Sequence, residues 1–330
     1  MILTITTNPS LDIIYRTEEF TIGATNREIS HQKVVGGKGI NAARVASILF
    51  GSEANKVIAA GFAGITNFSI LEKELKQYGL IDKFIQTPGE TRFCYQIYDK
   101  RNKKTELNEL GIPVPYKSFN LFLQQLDHLK NLTAISINGS IAPGLPKNAY
   151  STLIKKLRSI APNAKIILDT SGSALCSTLE GSSQPDIIKP NNDELSDFLG
   201  YKVTEDPTSA LYALQDKRLK KIPTVVASLG ATGAVVKVHL KNPSFYFVKT
   251  HSLSAINTQG AGDSTVAGML YAIDQGFNDL QVIKYGMAAG MANVIEQKTG
   301  YVQSKNVISY VNDKSKISII KLKSPDELVY

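Results

Sequence analysis

The chain has 330 residues, 43% apolar and 20% charged, which suits a folded protein and excludes a mostly disordered one; no apolar run is long enough to span a bilayer. Its net charge of +8 comes from scattered Lys and Arg with no helix-turn-helix or zinc-finger spacing, so it favours small anionic substrates over nucleic acid or a membrane. Two cysteines, Cys94 and Cys176, are too few for a disulfide framework, and Met1–Thr6 lacks the basic start of a secretory signal; the expectation is a cytoplasmic protein.

Leu3–Thr6 reads as the first strand. The segment from Asp12 to Val35 follows with no helical periodicity and reads as further strands. Val34-Val35-Gly36-Gly37-Lys38-Gly39-Ile40-Asn41 then leaves a strand and opens a helix over Asn41–Phe50, whose Ala42, Val45, Ala46 and Leu49 share one face. This junction is not a P-loop, because Lys38 is followed by Gly39 and no hydroxyl is placed for magnesium. Gly36, Gly37, Lys38 and Asn41 suit close approach to a polyhydroxylated substrate, the plain alternative being a tight turn with a solvated lysine.

Lys56–Ala60 reads as a buried strand and Phe68–Tyr78 as a helix stopped by Gly79. Glu90–Leu110 is strand-like again, with Phe93, Tyr95 and Ile97 alternating. Together with 12–35 it predicts a small sheet projecting from the main body as a lid, whose exposed apolar strands a second copy of the chain would cover. Ser118–Leu129 reads as a helix with Ser118 as its N-cap. Thr133–Ile137, Lys165–Leu168, Asp186–Ile188 and Thr224–Ala227 read as strands with helices between them.

This rhythm predicts an α/β fold of three layers, a mostly parallel sheet with helices on both faces. Ligands in such sheets gather at the carboxyl ends of strands. The loops that fall there are Asn138-Gly139-Ser140, Asp169-Thr170-Ser171-Gly172, Lys189-Pro190-Asn191 and Ser228-Leu229-Gly230. Asn191 and Glu194, three residues apart at a helix start, would reach one hard cation or its water shell; equally they fit a capping box. Ser228-Leu229-Gly230-Ala231-Thr232-Gly233 leaves its strand through glycines that would admit a nucleotide.

The most informative run is Asn257-Thr258-Gln259-Gly260-Ala261-Gly262-Asp263, after which Val266, Met269, Leu270 and Ile273 repeat at helical spacing. A helix whose first turn is nearly bare backbone presents N–H groups and a positive dipole end to an anion. An acid beside such a seat has one economical task, accepting the proton of a hydroxyl as it attacks a phosphorus held there.

In this order, the glycine block near residue 36, Asn191-x-x-Glu194, Ser228-Leu229-Gly230-x-x-Gly233 and the Gly260-Ala261-Gly262-Asp263 helix resemble the ribokinase-like (PfkB) carbohydrate kinases over almost the whole chain. Thr7-Asn8-Pro9-Ser10-Leu11-Asp12, Gly89-Glu90-Thr91-Arg92 and Lys298-Thr299-Gly300-Tyr301-Val302 are similar to the hexose-phosphate kinase branch, most to the kinases of tagatose 6-phosphate and next to those of fructose 1-phosphate. Asn257 stands where many relatives have Asp.

The resemblance implies one ribokinase-like domain over 1–330 with a lid at about 12–35 and 90–110. It implies ATP-dependent phosphorylation of a ketohexose phosphate, with fructose-1-phosphate kinase or 6-phosphofructokinase activity as the alternative and a non-catalytic sugar-phosphate-binding regulator as a remote one. Asp263 would be the base and Gly260, Ala261 and Gly262 the anion hole; Asp12, Gly36, Gly37, Lys38 and Asn41 would hold the sugar, Arg92 its phosphate, and Ser140 would lie in the substrate loop. Lys189, Ser228, Gly230 and Gly233 would line the nucleotide, while Asn191, Glu194 and, through water, Asp169 would organise magnesium. Arg27 would reach the neighbouring subunit's site in a homodimer formed through the lid.

Overall fold

The computed structural model describes residues 1–251 and 253–322. Among the described residues, ten strands form the main sheet. In chain order they are β1 (Ile2–Thr6), β4 (Val57–Gly64), β5 (Ile81–Thr87), β8 (Ala134–Asn138), β9 (Lys165–Asp169), β10 (Ile187–Ile188), β11 (Thr224–Ser228), β12 (Gly233–Val238), β13 (Ser244–Thr250) and β14 (Ile317–Leu322). Their spatial order is β14-β13-β12-β11-β10-β9-β8-β1-β4-β5. From β5 to β11 every neighbouring pair is parallel, and β12, β13 and β14 complete one edge antiparallel.

Helices cover both faces, as the alternation requires. One core unites Leu3 and Ile5 of β1 with α3 (Tyr116–Leu126), α4 (Ala149–Ile160), α5 (Gly172–Leu179), α6 (Asn192–Leu199) and α7 (Pro207–Leu214). The other unites Ile2 with α1 (Lys38–Phe50), α2 (Phe68–Gln77), α8 (Ala261–Asp274), α9 (Asp279–Val294) and α10 (Ser304–Asn312). Successive β1 side chains thus feed opposite cores, the period-two geometry of a strand buried on both faces. None of the described helices is long and apolar enough to cross a membrane.

The lid is a separate four-stranded sheet in the order β3-β2-β6-β7, with β2 at Ser10–Thr17, β3 at Glu28–Gly36, β6 at Phe93–Tyr98 and β7 at Lys104–Asn108. Register sets its two faces. Leu11, Ile13 and Tyr15 pair with Phe93, Tyr95 and Ile97 and so share one face, while Asp12, Ile14 and Arg16 pair with Cys94, Gln96 and Tyr98 on the other.

Several element boundaries differ from the sequence expectation by a few residues, and three of them have a local reason. The first helix begins at Lys38, three residues early, because Gly37 at φ 110° provides the N-cap and lets Lys38 and Gly39 join the first turn. The helix expected from Ser118 begins at Tyr116, with Pro115 rather than Ser118 as its N-cap. Asp186 lies outside β10; its carboxylate bonds Ile166 N–H (2.7 Å) and Arg158 (2.7 Å) instead.

Candidate active site

Loops at the carboxyl ends of the parallel strands β9, β10 and β11 border a crevice, the place where ligands gather in such sheets. Helix α8 enters it through Gly260, held at φ 77°, a left-handed conformation. A Cβ at Gly260 would come 2.6 Å from Gly300 N, so the two loops meet backbone to backbone. No side chain caps α8. Of its first-turn N–H groups, Ala261 makes only a long 3.4 Å bond to the Thr258 carbonyl, and Gly262 beside it offers the dipole end of the helix to the crevice.

Asp263 sits in that turn, 8% exposed, and its Oδ2 accepts a 2.8 Å hydrogen bond from Asn41 Nδ2. Burial foremost, and then the charge of Asp169, push its carboxyl up to about 6; Lys38 and the Asn41 donor oppose that shift. A carboxylate poised near neutrality at an anion seat is suited to general-base work.

Asp169, the last residue of β9, forms the floor at 2% exposure. Lys189 Nζ stands 3.4 Å from one of its oxygens and Lys38 Nζ 3.6 Å from the other. Burial alone would raise this carboxyl, but the two lysines outweigh it and hold the group below the ordinary carboxylate range. Reciprocally, Asp169 raises the Lys38 ammonium against its desolvation. Lys38 also faces Glu194 Oε1 at 3.7 Å.

Asn191 and Glu194 form the capping box of α6: Glu194 N–H donates to Asn191 Oδ1 (2.7 Å) and Asn191 N–H to Glu194 Oε2 (3.0 Å). The capping alternative is therefore realised, leaving Glu194 Oε1 directed at the crevice. Both oxygens of Asp169 are buried without a hydrogen-bond partner among the described residues. Hard oxygens of this kind fit magnesium. No group of three or more acidic, His or Cys side chains converges among the described residues, so they fit an ion that keeps most of its water.

These side chains line a cavity of about 580 Å³. One end is glycine-rich, built by Ser228, Gly230 and Gly233; a Cβ on Gly233, at φ 121°, would strike the Val248 carbonyl. The other end is apolar, with Leu253, Met287, Met291 and Val294.

Of the expected sugar-side residues, Lys38 lines this cavity, whereas Asp12, Gly36, Gly37, Asn41, Arg92, Ser140 and Arg27 lie outside its lining. Asn41 touches Asp263, and Gly36 lies so close to the Asp12 carboxylate that any Cβ would clash. Ser10 donates to Asp12 at 2.6 Å, while burial raises that carboxyl. Ser140 is exposed, and its Oγ accepts from Asn8 Nδ2 at 3.2 Å. Arg92, expected on the substrate phosphate, directs its donors to three carbonyls, Asn8 (3.2 Å), Pro9 (3.3 Å) and Glu109 (2.9 Å), bracing the base of the lid. Arg27 is exposed in the turn before β3, outside the cavity lining.

Two positions escaped the sequence reading. Asn293, fully buried in α9, accepts from Ser264 Oγ (3.0 Å) and Gly300 N (3.0 Å) and donates to the Gln259 carbonyl (2.8 Å), stapling the loops that frame α8. Its signal was a lone amide in the run Met-Ala-Ala-Gly-Met-Ala-Asn. Arg44, also fully buried, left a plainer one: a charge amid the apolar residues of α1. Asn257, the departure noted above, bonds Thr299 Oγ1 (3.0 Å) and accepts from Gln259 N (2.9 Å), so its amide performs a loop-bracing task.

Comparison with known proteins places this geometry. Residues 6–306 match the model of the pfkB family carbohydrate kinases. A tagatose-6-phosphate kinase of Staphylococcus epidermidis is 35% identical over 305 residues, covering 92% of this chain and 95% of that protein. Phosphofructokinase-2 of Escherichia coli, solved with substrates and products, superposes with a TM-score of 0.82 at 25% identity over 94% of this chain and 99% of its own. A protein described as a possible 1-phosphofructokinase from Thermotoga maritima gives 0.81 at 26% identity, over 98% of this chain and 100% of its own. An uncapped helix with a buried acid, a twin-lysine floor and a match spanning nearly the whole fold lead to one assignment: the chain belongs to the pfkB family of carbohydrate kinases and is a phosphotransferase.

Proposed function

We propose that the protein transfers the γ-phosphoryl group of ATP to a hydroxyl of a ketohexose phosphate, converting tagatose 6-phosphate to tagatose 1,6-bisphosphate. The choice of sugar rests on the 35% identity to the Staphylococcus epidermidis tagatose-6-phosphate kinase over 92% of this chain. Fructose 1-phosphate is the second reading, favoured by the likeness to the Thermotoga maritima protein at 26% identity.

In this reading Asp263 accepts the hydroxyl proton as the oxygen attacks the γ-phosphorus; the bond to the β–γ bridging oxygen breaks and ADP leaves. The N–H groups of Ala261 and Gly262 and the Lys38 ammonium receive the charge that develops on the phosphoryl oxygens, and Lys189 keeps Asp169 ionised beside them. Magnesium, when bound with the nucleotide, neutralises phosphate charge, and Asp169 and Glu194 would hold it through its water. Gly230 and Gly233 admit the nucleotide and the apolar end of the cavity takes its base. Asp12, Gly36, Gly37 and Asn41 hold the sugar hydroxyls, with Ser140 at the rim. Arg92 braces the loop that presents the sugar phosphate.

The lid joins two copies into a homodimer. Ile29 is 61% exposed and Leu107 67%, an apolar surface on two edge strands that a single chain leaves in water. In the dimer Arg27 lies near the neighbouring site. ADP release measured with tagatose 6-phosphate, fructose 6-phosphate and fructose 1-phosphate at equal concentration tests the reading. The largest kcat/KM is expected for tagatose 6-phosphate; a preference for fructose 1-phosphate would replace it with the second reading. Sugar-phosphate binding without ADP release would make the protein a regulator.

A further inference from the structure

Arg44 is fully buried, and every arm of its guanidinium is engaged. Nε donates to Glu74 Oε1 (2.7 Å) and Nη2 to the Val35 carbonyl (2.8 Å). Nη1 donates to Asn41 Oδ1 (2.9 Å) and to the carbonyls of Thr299 (3.1 Å) and Gly300 (3.3 Å). Lys298 closes the far side of the cluster, 3.4 Å from the same Glu74 oxygen and 2.8 Å from Tyr78 OH. A buried arginine so placed ties α1 to α2 and to the 298–300 loop.

The contact with Asn41 has a consequence for Asp263. An asparagine amide can face its neighbours in two ways, and the hydrogen-bond network decides which. A guanidinium has only donors, so the Asn41 face turned to Arg44 must be the oxygen. The NH2 group is then necessarily turned to Asp263, where it donates at 2.8 Å. The loop that Arg44 holds also lies close to this side chain: a Cβ on Gly300 would come 2.9 Å from Asn41 Cγ and Oδ1.

We infer that Arg44 is a positioning residue for phosphoryl transfer: by fixing the Asn41 amide it lets that side chain only donate to Asp263, which favours the ionised base. This rests on the reading of Asp263 as the base. Without Arg44 the amide is free to flip and offer its oxygen, which favours protonated Asp263.

The pH dependence of kcat at saturating substrates, from pH 5 to 9, tests the inference in the wild type, Arg44→Lys, Asn41→Leu and the double variant. Lysine keeps the charge but cannot bond Asn41, Glu74 and Val35 together. Arg44→Lys is expected to move the acid limb of kcat up by about one to two pH units, the scale of a lost charge-assisted hydrogen bond, with the KM for ATP within about twofold of wild type. Added to Asn41→Leu, the same change is expected to move the limb no further. An unmoved limb in Arg44→Lys, or an equal displacement in both backgrounds, overturns the inference. Should Arg44→Lys not fold, Asn41→Asp decides: its carboxylate still pairs with Arg44 but cannot donate to Asp263, and a wild-type acid limb there is equally fatal. Asp263→Asn separates the two levels. Full turnover in that variant removes the base itself, whereas lost turnover alongside an unmoved limb in Arg44→Lys removes only the positioning role.

Discussion

The floor of the crevice and the lid above it are built on opposite terms. On the floor, Asp169, Lys189, Asp263 and Arg44 are all buried; Asp169 pairs with Lys189, Arg44 with Glu74, and Asp263 takes the Asn41 donor, all within one chain. In the lid, β7 is exposed along its whole length and β3 is exposed from Glu28 to Lys33. Buried charges are costly unless locked in place, so the floor is rigid and self-sufficient. Exposed edge strands have free hydrogen-bonding groups and unshared apolar surface, so the lid is completed by what docks on it. The proposed assembly thereby gives chemistry to the monomer and substrate enclosure to the homodimer.

The sharpest break of that contrast comes from Asp263→Asn. Turnover is expected to fall by roughly 10²–10⁴-fold, the range of a lost general base, with ATP binding kept. Stability should move the other way. Burial raises this carboxyl to about 6 from 3.8, so its ionised form is disfavoured in the fold. That cost is complete above pH 6 and vanishes below about pH 4, where the group is protonated in both states. The Asn variant should therefore unfold at higher temperature than wild type at pH 8, by on the order of 2 kcal/mol, and match it at pH 4. For the same reason wild-type kcat should decline as pH falls through about 6, since the base must be ionised. Thermal unfolding and turnover across this pH range check both signs; a variant less stable at pH 8 would contradict the desolvated charge.

At the lid, charged replacements of Phe93 and Tyr95 are the next largest effect. Their rings stack at 6.1 Å on β6 and are half-buried. Introducing Asp or Lys at both should yield monomers whose KM for the sugar rises by about tenfold or more, because closure excludes water and orders the substrate. ATP hydrolysis without sugar transfer should increase. Sedimentation and ADP release measure the two outcomes; full activity from a monomeric wild type would leave the lid without this role.

Arg92→Ala addresses the joint between the regions. Its guanidinium holds the Asn8, Pro9 and Glu109 carbonyls, so its loss frees the strap from which the lid springs. Sugar KM should rise by roughly tenfold while ATP KM stays near wild type, as expected for binding confined to one substrate. Equal change in both KM values would point to a general loss of structure.

The same division explains what the sequence disclosed. Parallel strands buried on both faces and amphipathic helices leave strong periodic signals, so β1, β8, β9 and β11 and the helices α1, α2 and α8 were legible to within a few residues. Gly260-Ala261-Gly262-Asp263 was legible as an uncapped helix start carrying an acid, because its small residues leave the backbone bare. Arg44 and Asn293 were not, since their partners lie hundreds of residues away for Arg44–Gly300 and dozens for Asn293–Ser264, and no local pattern encodes such pairings. Arg92 shows the converse limit. The resemblance implied a phosphate contact, but its guanidinium reaches the carbonyls of Asn8, 84 residues away, and Glu109, 17 residues away, pairings that no local pattern encodes.

The smallest effect concerns Asn191, where the cap and the metal role can be told apart. Its Oδ1 caps α6, which an aspartate does equally well and an alanine cannot. Asn191→Ala should lower stability by about 1 kcal/mol, and Asn191→Asp should leave it unchanged. If the residue acts on the site only through the cap, the magnesium dependence of turnover in Asn191→Asp should also match wild type, because the added charge stays at the helix N-terminus where the dipole welcomes it. Were Asn191 part of the ion's water shell, the extra carboxylate would tighten magnesium binding and shift its half-saturating concentration downward. Glu194 Oε1 faces Lys38 across the crevice, whereas the capping oxygens are engaged by backbone N–H groups, so the shift is expected for Glu194→Gln, upward, and not for Asn191→Asp. Magnesium titrations of turnover in the two variants, set beside their unfolding temperatures, decide between a helix cap that borders the site and a residue that serves it.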